Sequence, residues 1–434
     1  MPRRARPTTY LYFFFFFLVA QFGTHATLLT MPYFWDEVGS TIPAAQSVAH
    51  NGLAHTPTVS LYVAAVWKIF GASELSTRCA MLLLSAIALL GVFLLAIELC
   101  GSLQGAPAIV VAAMMALSPW YFGQSILAQS AMPATLCMVY GLWFYLTGRH
   151  ILAGASLFGL LWVLLSSQPA IGWGQVEPPR IPDYLLTAGR RFVSLFFANF
   201  HFLATIGVLM AWRSDRLNRT RWKVAGAVCG VYFLSLCVAG PVLDRDLLPV
   251  LPVFYTAAVV GFYSHAARWR IALPTAMLCG FLAGLWIAPP WWPDALESSL
   301  AMSDFSDMQR MTAAYLEKNA HGGVVATAWP LSAVLTQPRL GFVDQPLHVL
   351  RLHDLSSTCL RTVNKGDAEI LVRYSTGWDP PGNLLAWNRV TRWFGRRYLG
   401  YQLSIEPDEI EQRLGLHLTA SWQKRGNWVE IYAK

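Results

Sequence analysis

The sequence predicts a mostly α-helical, polytopic transmembrane bundle of about nine spans, with interfacial helices in its first outer loop and a small C-terminal α/β soluble domain. Three observations predict it. Of 434 residues, 55% are hydrophobic and 13% are charged, against about 25% charged in ordinary soluble domains. Apolar runs of roughly 17–25 residues, the length a bilayer requires, recur as far as residue 289. Beyond Pro289-Pro290-Trp291-Trp292-Pro293 the chain turns polar.

The runs lie near 10–30, 79–99, 104–122, 131–148, 151–171, 191–212, 223–241, 247–265 and 271–289. The first follows Arg3-Arg4-Ala5-Arg6. It is long, rich in Phe and without a small-residue cleavage site, so it reads as an uncleaved helix rather than a signal peptide. Four short loops, 100–103, 149–150, 213–222 and 266–270, fall on one side. The third holds Arg213, Arg216, Arg219 and Arg221, and the fourth Arg268 and Arg270. The positive-inside rule places these loops and the N-terminus in the cytoplasm. Loop 31–78, loop 172–190, the turn near Asp244 and everything after 290 then lie outside, in a plasma membrane of the bacterial inner-membrane kind. Residues 56–70 are apolar but short and carry Lys68 near their end. They read as a helix lying at the outer interface, with Tyr62 and Trp67 at headgroup level.

The expected domain division is 1–292, membrane, and 293–434, extracytoplasmic. In the second part, Ser303–Asn319 has the pattern of an amphipathic helix. Val324–Ala328, Leu340–Val343, Ala368–Tyr374 and Trp428–Tyr432 have strand character. The net charge of +8 is a topology signal. Of 32 Lys and Arg, 17 precede residue 300, mostly in short turns, while the other 15 face 13 acids. No nucleic-acid footprint results. The seven cysteines show no metal or redox spacing and read as small apolar fillers.

Against this background the acidic pair in Met31-Pro32-Tyr33-Phe34-Trp35-Asp36-Glu37 stands out. Acids at a membrane boundary are costly unless something uses them. A carboxylate there could take a proton from an acceptor hydroxyl; the plainer reading is a helix cap beside a solvated acid. His55 precedes Thr56-Pro57, a helix-start signal, and its imidazole would suit a phosphate or a divalent ion. Arg78 opens the second run and could meet a phosphate or a lipid headgroup. Arg245, in Asp244-Arg245-Asp246-Leu247-Leu248-Pro249, could grip a lipid-linked phosphate bidentately or pair with Asp244 or Asp246. Trp35, Tyr121, Gln124 and Gln129 could line a sugar or acceptor pocket, or belong to an interfacial aromatic belt. Trp329, in Ala328-Trp329-Pro330 after a strand, and the basic run Arg392, Arg396 and Arg397 could touch acceptor or phosphate; a buried Trp and a solvated charged face are the plainer readings.

Taken in order, these motifs resemble the polytopic C-type glycosyltransferases of the protein-mannosyltransferase and aminoarabinose-transferase group. The likeness runs through Asp36-Glu37, His55-Thr56-Pro57, Phe70-Gly71-Ala72-Ser73 with Arg78, Leu117-Ser118-Pro119, and Arg245 through Pro249, over roughly residues 10–290. It implies a donor sugar on a polyprenyl phosphate, an acceptor that is a glycan, a lipid or a protein, and membrane lipids as surroundings. It also implies Asp36 as catalytic base, Glu37 as the acid that orients it, and Arg245, Arg78 and His55 on the donor phosphate, with room for a divalent metal ion as cofactor. Two positions depart from the pattern. Ala131 stands where a second acid is common, and Ser166-Ser167-Gln168-Pro169 where a lysine is common. The alternative function is therefore a lipid-linked-sugar binder or accessory subunit of envelope glycan assembly with weakened catalysis.

Overall fold

In the computed structural model, the described residues are 7–51, 58–101, 105–166, 181–238, 244–287, 296–375, 388–391, 393 and 407–434. His55, Ser167, Gln168, Arg392, Arg396 and Arg397 lie outside them. The chain forms two compact units. The first comprises Met1–Thr30, Val48–Gln168 and Glu177–Trp286, and the second includes Met31–Ser47 and Ile287–Lys434.

The first unit is entirely helical among its described residues: α1 (Pro7–Thr24), α3 (Thr58–Phe70), α4 (Glu74–Cys100), α5 (Ala106–Leu117), α6 (Pro119–Ile126), α7 (Ala131–Leu146), α8 (His150–Ser166), α9 (Ile181–Phe196), α10 (His201–Arg213), α11 (Thr220–Val238), α12 (Leu251–Tyr263) and α13 (Ala267–Trp286). Helix α2 (Ile42–Asn51) precedes α3. Every predicted apolar run contains helix. Among the described residues, only α4, α11, α13 and the stretch Asp244–Tyr263 are single helices long and apolar enough to cross a membrane, and two bent pairs raise the number to six. The expected nine rested on the length of apolar runs, whereas caps and backbone breaks set helix length. Pro119 is one such break. The residue before a proline avoids the helical region, Ser118 is accordingly non-helical (φ −56°, ψ 127°), and α5 and α6 meet at 66°. Asn199 and Phe200, both at positive φ, make the second break, with a 51° bend. This chain is an integral membrane protein.

Helix α4 is the hub. Ser73 and Ser76 form a capping box at its start, satisfying two otherwise orphan backbone donors, and α1, α3, α5, α6, α7 and α12 pack around it. Helices α10 and α12 cross where Gly207 faces Gly261. A Cβ on Gly261 would run into the Gly207 carbonyl, and one on Gly207 into Ala258 and Phe262. Small residues that let backbones meet drive packing where lipid removes the hydrophobic driving force.

The second unit carries α14 (Ala301–Asn319), α15 (Leu331–Thr336), α16 (Ser357–Leu360), α17 (Pro407–Leu414) and a five-stranded mixed sheet. Its strands are β1 (Val325–Thr327), β2 (Val349–Arg351), β3 (Ile370–Tyr374), β4 (His417–Lys424) and β5 (Asn427–Ala433), in the order β2-β1-β3-β5-β4. Strand β1 runs parallel to β2 and β3, while β5 is antiparallel to β3 and β4. Alternation along β3 decides the layers. Leu371 joins Ala326, Tyr432, Leu360, Val363, Ile410 and Leu414 on one face, whereas Tyr374 meets Phe305 of α14 on the other. Leu371→Ala is expected to cost the fold about 2–5 kcal/mol, read as a lowered melting temperature of the full chain.

The expected helix and three of the expected strands are present. Leu340–Val343 is not a strand. Pro338–Leu340 forms a tight turn closed by Gly341 at φ +79°, a left-handed conformation open to glycine, and β2 follows further on. Strand β4 escaped the sequence reading because most of its side chains are exposed, so no apolar alternation marks it.

Candidate functional site

The acidic pair belongs to the second unit. Met31, Pro32, Tyr33 and Phe34 are buried, and the rings of Phe34 and Trp35 lie 5.8 Å from Phe305 of α14. Trp35 has φ +39°, rare for a bulky residue. A π-helical turn, Glu37–Thr41, follows at once. Such turns and such strained backbone both cluster at functional sites. The turn packs against α15, and Gln46 Nε2 donates to the Arg339 carbonyl at 2.8 Å.

The two acids have separate environments. Glu37 is fully buried, and its Oε2 accepts the Phe34 backbone N–H at 2.8 Å, while its own N–H donates to the Phe34 carbonyl. It holds the tight entry to the helix as the reaching-back acid of a capping box does. Asp36 is half-buried, and its carbonyl accepts from Ser40 Oγ at 3.0 Å. Of the two acids, Asp36 is the less buried.

The first unit gathers the basic candidates around the loop between α6 and α7. Arg78, fully buried on α4, donates from Nη1 to the Ile126 carbonyl at 2.9 Å. Arg245 is half-buried on the 3-10 turn Asp244–Val250, which contains Pro249, and donates from Nη1 to Gln129 Oε1 at 3.0 Å. Gln129 keeps its buried Nε2 without a hydrogen-bond partner among the described residues. Asp244 accepts from Ser194 Oγ at 2.9 Å, and Asp246 lies 3.8 Å from the buried Arg191. Gln124 and Tyr121 are buried on α6, where the Tyr121 hydroxyl donates to the Ser85 carbonyl at 2.5 Å. Ala131 is buried at the start of α7 and brings no carboxylate.

Two histidines that sequence reasoning passed over brace this region. His25 stacks on Phe122 with ring centroids 4.0 Å apart, and its Nε2 lies 2.7 Å from Ser125 Oγ. His201 Nε2 lies 2.8 Å from the Tyr255 hydroxyl, which donates to Ser118 Oγ at 3.1 Å. His201 Nδ1 lies 3.2 Å from the Ser194 carbonyl. Buried polar groups must find partners, and these fasten α6 from two sides. The only signal in the sequence was a lone His within or at the end of an apolar run.

Among the described residues, no three His, Cys, Asp or Glu side chains gather as a metal ion would need.

No family model matches the sequence, and no curated protein matches it. Among solved structures, the chain is similar to ArnT from Cupriavidus metallidurans bound to undecaprenyl phosphate, at 12% identity and a TM-score of 0.49, over 98% of each chain. It is similar to the same protein in the apo state, at 12% identity and a TM-score of 0.46, again over 98% of each chain.

Proposed function

We propose that this chain is a membrane glycosyltransferase that moves a sugar from a polyprenyl-phosphate donor to an acceptor at the outer membrane face, with Asp36 as general base. The observation that carries this reading is the division of the acidic pair. Glu37 is fully buried and its Oε2 accepts the Phe34 backbone N–H of its own turn, while Asp36, beside strained backbone, is only half-buried. Asp36 takes the proton from the acceptor hydroxyl as that oxygen attacks the anomeric carbon. The sugar–phosphate bond breaks, and charge grows on the departing phosphate. Arg245 meets that charge, with Arg78 of α4 and His55 as further candidates. A preorganised cation at developing charge lowers the barrier. Attack opposite the leaving group inverts the anomeric centre. Trp35, Gln124 and Gln129 are assigned to the sugar and acceptor, with Tyr121 holding α6 in place.

The test is turnover. Purified full-length protein given a polyprenyl-phosphate-linked sugar and an acceptor should release polyprenyl phosphate. Arg245→Gln should lower kcat/KM about 10- to 100-fold, the loss of one charged hydrogen-bonding group, with the melting temperature kept near that of the parent. The buried Ala131 favours a second reading, a lipid-linked-sugar binder. That reading predicts donor binding with no polyprenyl phosphate released for any acceptor.

A further inference from the structure

We infer that the second unit carries a carbohydrate subsite on α14, formed by Ser306, Gln309 and Thr312 with the indole N–H of Trp329. Ser306, Gln309 and Thr312 are spaced i, i+3 and i+6, and therefore share one helical face. Their exposures are 1%, 3% and 0%. Ser306 Oγ, Thr312 Oγ1 and both ends of the Gln309 carboxamide are buried without a hydrogen-bond partner among the described residues. The same holds for Trp329 Nε1. A fold gains nothing from such groups, since each forfeits its bonds to water. Three on one helix face call for something that bonds to them.

The local geometry places the stripe beside the acidic pair. Phe305 falls on the same arc of α14 and packs against Phe34 and Trp35. Trp329 leads through Pro330 into α15, which packs against both α14 and the turn Glu37–Thr41.

The chemistry selects the ligand. None of the four groups is charged, so a phosphate or carboxylate would lie against them unneutralised. Two hydroxyls and a carboxamide both donate and accept, and the indole donates. That mixture suits sugar hydroxyls, and the indole adds an apolar face for a pyranose. The inference rests on the sugar-transfer reading, and it adds the residues that hold the neutral sugar.

Saturation-transfer NMR on the full-length protein in detergent tests it without turnover, using methyl mannoside, methyl glucoside and N-acetylglucosamine as probes. At least one should receive saturation, and the response should persist in Asp36→Asn. Thr312→Val, isosteric, and Gln309→Leu should each weaken that probe about tenfold, while Asp307→Asn on the exposed face changes nothing. Because the replaced groups lack partners in the fold, both variants should melt at or above the parental temperature. Displacement by a polyprenyl-phosphate-linked mannose would assign the subsite to the donor sugar, and persistence would assign it to an acceptor glycan. Silence from all three probes, an unchanged response in both variants, or a lowered melting temperature in both would overturn the inference. The last outcome would make the stripe a water-bridged part of the core. Failure of turnover with these binding results intact would sink the transferase reading alone.

Discussion

Asp36→Asn is expected to lower transfer by about 10²–10⁴-fold while the protein inserts and melts as the parent does. The substitution keeps size and shape and replaces a carboxylate, which can take a proton, by a neutral amide, which cannot. Asp36 is half-buried, and its backbone carbonyl, not its side chain, is what Ser40 bonds. That bond survives the exchange. Donor binding should persist, so the loss should appear in kcat rather than KM. Glu37→Ala is the informative contrast. It orphans the buried Phe34 N–H, at a cost of about 1–3 kcal/mol, and should lower the melting temperature together with activity. Unchanged turnover in Asp36→Asn, with a fall only in Glu37→Ala, would remove Asp36 from the chemistry and leave the pair a structural one.

The second large effect is expected where two helices of the membrane unit cross. Gly261→Val should prevent stable folding of the membrane unit, and Gly261→Ala should destabilise it by about 1–3 kcal/mol or more. The atom in the way is the Gly207 carbonyl oxygen. Backbone cannot swing aside as a side chain can, so α10 and α12 would have to separate. Those helices carry His201 and Tyr255, whose bond at 2.8 Å depends on the crossing, and α12 continues from the turn that bears Arg245. Thermal unfolding in detergent measures the first consequence, and a parallel fall in donor turnover the second. Gly207→Ala should act in the same direction, since its Cβ would meet Ala258 and Phe262. The double variant should fall short of the sum, because one separation relieves both clashes.

How much of this was legible beforehand depends on the range of the interaction. The apolar runs announce helices because burying backbone in lipid leaves little alternative, and each run contains one. Asp36, Arg78 and Arg245 could be singled out because a charge beside an apolar run is conspicuous. The two breaks differ. Pro119 signals its own, whereas Asn199 and Phe200 carry no residue that demands positive φ. The exposed side chains of β4 left it no apolar pattern, and Pro338 with Gly341 turned an expected strand into a tight turn. Glu37 looked like a partner for Asp36; its bond to the Phe34 backbone needed coordinates.

By itself, then, the sequence determined a membrane protein of many helices with a mixed helix-and-strand C-terminal part, and it singled out an acidic pair and an arginine turn. These rest on composition and on patterns within one element, where hydrophobicity and local sterics act. Tertiary structure alone decided that Met31–Ser47 belongs to the same compact unit as Ile287–Lys434, that Arg78 and Arg245 hold one loop, that His25 and His201 clamp α6, and that α14 turns three unpartnered polar side chains to one face. Each of these joins residues tens to hundreds of positions apart, or depends on what is buried. Burial and partnership belong to the packed chain, and no window along the sequence contains them.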